Sequence, residues 1–314
     1  IEKEDVVISM THFGYIKRLP ADEYKPQRRG GKGVTAHRPK EEDFVENMFV
    51  TSTHSDLLFF SNKGKVYSLK AYEVPEAQRM SRGRAIVNLL ELENDEKITA
   101  CIPLDEDATK GNLIMATKNG LIKKTALDEF AKIRRDGKIA IKLVDDDELI
   151  SVQLTNGKDQ ILVASAQGKC IRFSEKEVRL MGRDTQGVKS IDLDKGDYVV
   201  DMTVIKPGYE ILTVSQYGYG KRADIEEYRL QSRGGKGIKA GVFNEKTGKL
   251  VNLKQVSPDD DIMLISSNGI MIRMPCQDIS KISRDTQGVR LMKMDNGGEV
   301  VCVAVASADE ELEG

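Results

Sequence analysis

The sequence predicts an all-β chain made of six copies of one unit, closed radially into a disc. Three observations carry that expectation. Apolar runs ending in a glycine turn recur at a near-constant period, each run reads as a β-hairpin, and no stretch sustains the 3.6-residue periodicity of an amphipathic helix.

The runs are VVISMTHFGYIKRLP (6–20), DLLFFSNKGKVYSLK (56–70), NLIMATKNGLIKKTA (112–126), QILVASAQGKCIRFS (160–174), EILTVSQYGYGKRAD (210–224) and DIMLISSNGIMIRMP (261–275). Their turn glycines, Gly14, Gly64, Gly120, Gly168, Gly218 and Gly269, lie 48 to 56 residues apart. A length of 314 residues would ordinarily suggest about two domains, but a repeat of this size indicates a propeller, solenoid or array. In each run a β-branched apolar strand precedes a polar turn with Gly, and a second strand follows. Asn119-Gly120 and Asn268-Gly269 are strong turn signals, and Phe13-Gly14 and Tyr217-Gly218 are weaker ones.

A second element follows each hairpin: RRGGKGVTA (28–36), SRGRAIVNLLEL (81–92), RRDGKIAIKL (134–143), GRDTQGVKSIDL (182–193), SRGGKGIKAGVF (232–243) and SRDTQGVRLMKM (283–294). RDTQGV occurs at Arg183 and again at Arg284, 101 residues on, which duplication explains. One such unit cannot bury both faces of its strands. Radial closure does so and removes the sheet edges, and no repeat has the polar cap of an open solenoid.

Charge follows the same period. Lys+Arg total 48 and Asp+Glu total 50, a formal net charge of −2, so any polyanion-binding surface must come from segregation of charge, not excess. After the hairpin turns come Lys17-Arg18, Lys70, Lys123-Lys124, Arg172, Lys221-Arg222 and Arg273. The second elements open with Arg28-Arg29-Lys32, Arg82-Arg84, Arg134-Arg135, Arg183, Arg233-Lys236 and Arg284. Acidic residues gather before the next hairpin, as in Asp145 to Glu148 and Asp192 to Asp201. Six alternations in phase imply a basic ring and an acidic ring on different parts of the disc, and a closed basic track suits a bent polyanion. Gly-rich turns with Arg and Lys fit phosphate contact, and the absence of a reading helix predicts recognition by DNA shape and deformability.

Other chemistries find little support. Cys101, Cys170, Cys276 and Cys302 have neither CxxC spacing nor a nearby His in sequence, which argues against zinc and for reduced, packed thiols. His12, His37 and His54 are the only histidines, and no Ser/His/Asp or metal constellation suggests a self-contained enzyme. No apolar run approaches the ~20 residues of a membrane span. The opening IEKEDVVISM is acidic where a signal peptide would be basic, and a start without Met is expected of a piece of a longer protein.

One stretch is more specific than the rest. Gln27-Arg28-Arg29-Gly30-Gly31-Lys32-Gly33 resembles the signature box of the C-terminal domain of bacterial DNA gyrase A, and Gln231 to Gly237 repeats it with Ser232 in place of Arg. The resemblance covers essentially the whole chain. It implies a single six-bladed β-pinwheel over residues 1–314, with strands exchanged between neighbouring blades. The expected blades are 1–50, 51–105, 106–154, 155–205, 206–256 and 257–306, followed by an acidic tail, 307–314. It further implies sequence-nonspecific binding, bending and chiral wrapping of duplex DNA around the rim, presenting the transported segment for ATP-dependent negative supercoiling. The implied partners are the N-terminal breakage–reunion part of gyrase A and the gyrase B protein, in a heterotetramer of two copies of each. The implied setting is the bacterial cytoplasm at the nucleoid, without membrane. No catalytic residue, metal or cofactor is expected here, because the catalytic tyrosine, ATP and Mg belong to other parts of that enzyme. The acidic tail is expected either to compete with DNA for the rim or to be a plain solvated end. The corresponding domain of topoisomerase IV is the alternative, although its box is typically degraded. A protein-interaction propeller is another, but WD and kelch signatures are lacking and the loops are basic.

Overall fold

The computed structural model describes residues 1–21, 36–38, 43–105, 110–295 and 297–306. Its strands form six four-stranded antiparallel sheets. Each blade begins with a hairpin: Asp5–Thr11 with Tyr15–Pro20, Asp56–Ser61 with Lys65–Lys70, Asn112–Thr117 with Leu121–Ala126, Gln160–Ser165 with Lys169–Ser174, Glu210–Ser215 with Tyr219–Asp224, and Asp261–Ser266 with Met271–Pro275. The third strand of each blade is the inner one: Val45–Ser52, Ile98–Leu104, Leu149–Thr155, Val199–Val204, Leu250–Val256 and Val300–Ala306. From blade 2 to blade 6 the inner strands of neighbouring blades lie side by side, and that of blade 6 lies against that of blade 1. Side-chain amides join them: Gln153 accepts from the Val204 N–H at 3.1 Å, and Asn252 from the Val303 N–H at 2.9 Å.

The fourth strand of every blade is supplied by the next repeat. The short rim strands Arg84–Ala85, Lys138–Ile139, Val188–Lys189, Ile238–Lys239 and Val289–Arg290 pair with the second hairpin strands of blades 1 to 5. Ala36–Arg38, from the first repeat, pairs with Met271–Pro275 of blade 6 and closes the ring. The expected strand exchange is therefore present, and a blade is not one contiguous segment of chain. A rim strand two or three residues long and rich in Arg or Lys leaves little unpaired edge for another sheet to join.

The hairpin strands read as continuous apolar runs because both of their faces are buried between blades. Period-two alternation then divides each run. Leu57 and Phe59 pack toward blade 1 with Ile8 and Ile16, whereas Leu58 and Phe60 pack toward blade 3 with Leu113 and Met115. Ile114 continues the pattern toward blade 4, Leu162 toward blade 5 and Leu212 toward blade 6. The core is thus a ring of wedges, each fully buried Leu, Ile or Phe contributing about 1.5–3 kcal/mol. The seam between blades 6 and 1 is smaller, built on Phe44, Met263 and Met271.

All six hairpin turns share one geometry, the weakly signalled ones included. The turn glycine alone is left-handed, with φ between 77° and 92°, and its N–H donates to the carbonyl of the Ser or Thr three residues earlier at 3.0–3.1 Å. In five turns that hydroxyl also accepts from the residue after the glycine, as Thr117 does from Leu121 at 3.1 Å. Asn119 and Asn268 do not enter the left-handed region, so Asn-Gly here is not the two-residue turn in which both central residues have positive φ.

Candidate nucleic-acid interface

The outer edge of the disc is formed by the rim strands and the Gly-containing loops before them. The last loop glycine is required twice over. Gly83, Gly187 and Gly237 have φ of 88°, 92° and 77°, and a Cβ on each would lie 2.3–2.5 Å from a carbonyl oxygen of the strand it covers. The chain can turn onto the neighbouring blade this closely only without a side chain.

Of the residues expected to hold DNA, Arg82, Arg84, Arg134, Arg135 and Lys236 are exposed on this edge, and Arg183, Arg233 and Arg284 are half-buried in it. The latter three also link the edge into a belt. Arg183 donates to the Ile139 carbonyl at 3.1 Å, Arg233 to that of Lys189 at 2.6 Å, and Arg284 to that of Lys239. Arg82 lies over the Tyr15 ring at 4.9 Å, which holds its guanidinium at the rim. Four more exposed cations, Lys138, Lys189, Lys239 and Arg290, stand in the rim strands themselves. The sequence pattern of basic loops misses them because they lie beyond the loop; their signal is a Lys or Arg one or two residues after the last loop glycine of repeats 3 to 6. The box Gln27 to Gly33 lies outside the described residues, as does the tail 307–314.

The basic residues after the hairpin turns sit differently. Lys17, Lys123 and Lys221 are 2%, 0% and 2% exposed, each under the loop of the following repeat. Lys123 Nζ donates to the carbonyls of Ala140, Gly182 and Arg183 at 2.6, 2.9 and 2.6 Å. Lys221 donates to Ala240 and Thr286, and Lys17 to Arg79 and Ser81. The next position along each strand holds the connecting 3-10 turn of the next repeat. Arg18 donates to the Val74 carbonyl at 2.9 Å, Lys124 to Glu175 at 3.0 Å, Arg172 to Tyr228 at 2.9 Å and Arg222 to Ile279 at 2.7 Å. Arg273 pairs with Asp261 at 2.8 Å. These eight were expected on the DNA track. Here all but Arg273, whose partner Asp261 is in its own hairpin, join one repeat to the next, because the exchanged strand and its connector cover the hairpin strand that carries them.

Burial pushes the Lys123 and Lys221 ammonium groups down to about 8, while the carbonyl cage works to keep them charged. A folded-state value below the unfolded one means that the native state holds fewer protons between about 8 and 10.5, so these lysines make stability rise with pH in that window. Burial pushes the thiols of Cys170 and Cys276 up to about 12 and, chiefly by burial, that of Cys302 to about 11, so above about 9 the cysteines make stability fall. The urea midpoint should therefore peak near pH 9, and Lys123→Met should flatten the rise between pH 8 and 9.

The acidic residues expected to form a separate ring instead adjoin the basic edge. The stretch between rim strand and inner strand crosses the hairpin tip, where Asp43, Asp147 and Asp197 accept the turn N–H groups of Phe13, Asn119 and Gln167 at 3.1, 2.9 and 2.9 Å. Lys236 reaches Asp192 at 3.2 Å and Asp194 at 3.0 Å, pairs exposed enough to be weak and to yield to another anion.

Among the described residues one group of metal-ligand types comes together. His12, Glu46 and Cys302 bring donor atoms within 4.8 Å of one another at the seam of blades 1 and 6, which no sequence spacing could reveal. Glu46 already faces His12 Nδ1 at 3.2 Å, and Lys254, paired with Asp201 at 3.1 Å, adds a positive charge beside it. That charge weighs against a cation.

The DNA gyrase C-terminal domain, β-propeller, family model matches residues 5–52, 55–105, 111–156, 159–206, 209–257 and 260–307, one match per repeat. The chain belongs to this family. The DNA gyrase A protein of Escherichia coli (strain K12) is 48% identical over 301 residues, which are 96% of this chain and 34% of the relative. That of Staphylococcus aureus (strain NCTC 8325 / PS 47) is 45% identical over 316 residues, 100% of this chain and 36% of the relative. The chain therefore spans about a third of the curated relatives it matches. Among solved structures, the C-terminal domain of DNA topoisomerase IV superposes with a TM-score of 0.87 at 25% identity, covering 100% of this chain and 96% of that one. A DNA gyrase A C-terminal domain superposes at 0.71 with 30% identity, covering 97% and 100%. The family membership and the six-bladed fold agree with the expectations drawn from the box and the repeats.

Proposed function

We propose that this member of the family binds duplex DNA without base specificity along its outer rim, bends it and wraps it with a fixed hand. The observation that carries this reading is the recurrence of exposed Arg or Lys in the rim strands of blades 1 to 5, on a belt of loops whose spacing follows the repeat. Phosphate contacts repeated at equal intervals on a curved edge favour a bent duplex, whose deformation of several kcal/mol must be offset by contacts spread along it. The sequence relatives support a place in gyrase A, beside the N-terminal part of that protein and together with gyrase B, in an assembly of two copies of each in the bacterial cytoplasm, at the nucleoid. In that setting the rim hands the transported segment to a strand-passage core that supplies the catalytic tyrosine and uses ATP and Mg, while this domain supplies neither catalytic group nor metal. The superposition on topoisomerase IV favours a second reading, the DNA-binding domain of that enzyme. The intact heptapeptide at Gln27 to Gly33 and the 45–48% identity to gyrase A proteins favour the first.

The linking number of a nicked circle religated in the presence of this chain tests the proposal directly. A shift of one sign that grows with protein supports wrapping, and no shift at saturating binding overturns it. Arg28→Ala, Arg29→Ala and Lys32→Ala together should cut supercoiling by the whole enzyme by about tenfold or more, with affinity falling less, because three phosphate contacts are a small part of the track. Unchanged supercoiling would remove the box from the mechanism.

A further inference from the structure

The position beneath the rim loop differs among the blades, and it varies with the loop above it. In repeats 1 to 6 that position is Lys17, Tyr67, Lys123, Ile171, Lys221 and Ile272. Lys123 and Lys221 lie under the two RDTQG loops, 183–187 and 284–288, and Ile171 lies under the RGGKG loop, 233–237.

The chemistry of each pair is matched. A buried ammonium needs acceptors and a counter-charge. The RDTQG loops turn backbone carbonyls onto the lysine and place Asp184 or Asp285 where its charge favours the ammonium. Their threonines latch the loop onto itself, Thr185 donating to the Gly182 carbonyl and Thr286 to that of Ser283, both at 2.7 Å. The RGGKG loop has neither a caged lysine nor a threonine latch, and its glycines are held through the backbone, Gly234 donating to the Ser190 carbonyl and the Gly235 carbonyl accepting from the Asp192 N–H, both at 2.8 Å. Glycines replace the Asp and the Thr, Gly234 takes a φ of 85°, and only the Ile171 methyl lies below, 3.9 Å from where a Gly235 Cβ would stand. Its lysine points outward to the exposed Asp192 and Asp194. Outward, then, an RDTQG loop offers one Arg and one Asp, and the RGGKG loop offers Arg and Lys without the acid.

We infer that the rim includes two kinds of loop set by the residue beneath them, apart from the loop over Tyr67: locked loops over a caged lysine, which act as scaffold, and open loops over isoleucine, which reshape onto phosphates. This rests on the DNA reading above for the ligand alone; the difference between the loops is a property of the free protein.

Backbone ¹⁵N relaxation of the whole chain, free and bound to a duplex, tests it. In the free protein, order parameters of about 0.85 are expected at 183–187 and 284–288 and clearly lower ones, near about 0.6, at 233–237. On adding duplex, 233–237 should rigidify and shift while the two RDTQG loops hold still. Lys123→Met should lower the values at 183–187 and leave 233–237 unchanged; the comparison within the wild-type chain stands even if that variant does not fold. Equal order parameters in the free protein would overturn the two classes. Equal DNA-induced shifts in both classes would overturn the role of the open loops. Distinct classes with no DNA response in either would sink the DNA reading while leaving the classes in place.

Discussion

Raising salt from about 50 to 200 mM should weaken duplex binding by a factor of about 10³–10⁵, the loss expected when about six to ten phosphates are neutralised. The rim carries exposed cations in that number: Arg82 and Arg84, then Arg134, Arg135 and Lys138, then Lys189, Lys236, Lys239 and Arg290. Each phosphate neutralised contributes about −0.9 to the slope of log affinity against log salt. Lys138→Ala, Lys189→Ala and Lys239→Ala, made one at a time, should each flatten the slope by about one unit, equally on duplexes of different sequence. Lys123→Met should leave the slope alone, because a caged ammonium meets no phosphate. A flat salt dependence in filter binding or anisotropy would exclude the rim as the binding surface. A strong dependence on base sequence would exclude recognition through the backbone.

Lys123→Ala should destabilise the chain by about 2–4 kcal/mol, with the loss seen in the urea midpoint. Taking an ammonium out of water costs several kcal/mol, and each charge-assisted hydrogen bond returns about 1.5–3 kcal/mol, so the caged lysine is roughly balanced as it stands. Removing it is not balanced. The carbonyls of Ala140, Gly182 and Arg183 cannot be removed with it and are left facing a cavity. Lys123→Met fills the cavity and should recover part of the loss, since the stranded carbonyls remain. Arg183→Ala should cost under about 1 kcal/mol, because its bond to Ile139 is at the surface. If Lys123→Ala is no more costly than Arg183→Ala, the carbonyl cage does not hold the rim.

Much of the architecture was legible in the letters. The glycine period and the apolar hairpin strands are local features, and local features survive in sequence. The position of the charges was less legible. Lys17-Arg18, Lys123-Lys124 and Lys221-Arg222 look like a solvated basic patch because two adjacent cations on a strand are normally exposed at least on one face. Here neither is, since one is capped by a loop and the other by a 3-10 turn, both from the next repeat. The His12, Glu46 and Cys302 group was invisible for a related reason: its members meet only where the ring closes.

The sequence by itself determined the six-fold repeat, the hairpins and the family, because each depends on contacts between residues close in the chain or on a motif read as a string. Only the tertiary structure decided which cations face solvent. Strand exchange covers the second hairpin strand of blades 1 to 5 with the next repeat's loop, so the inward lysines became acceptor-caged fastenings and the rim strands became the exposed basic edge. That outcome follows from long-range pairing, the 36–38 strand on blade 6 included, which no local pattern encodes.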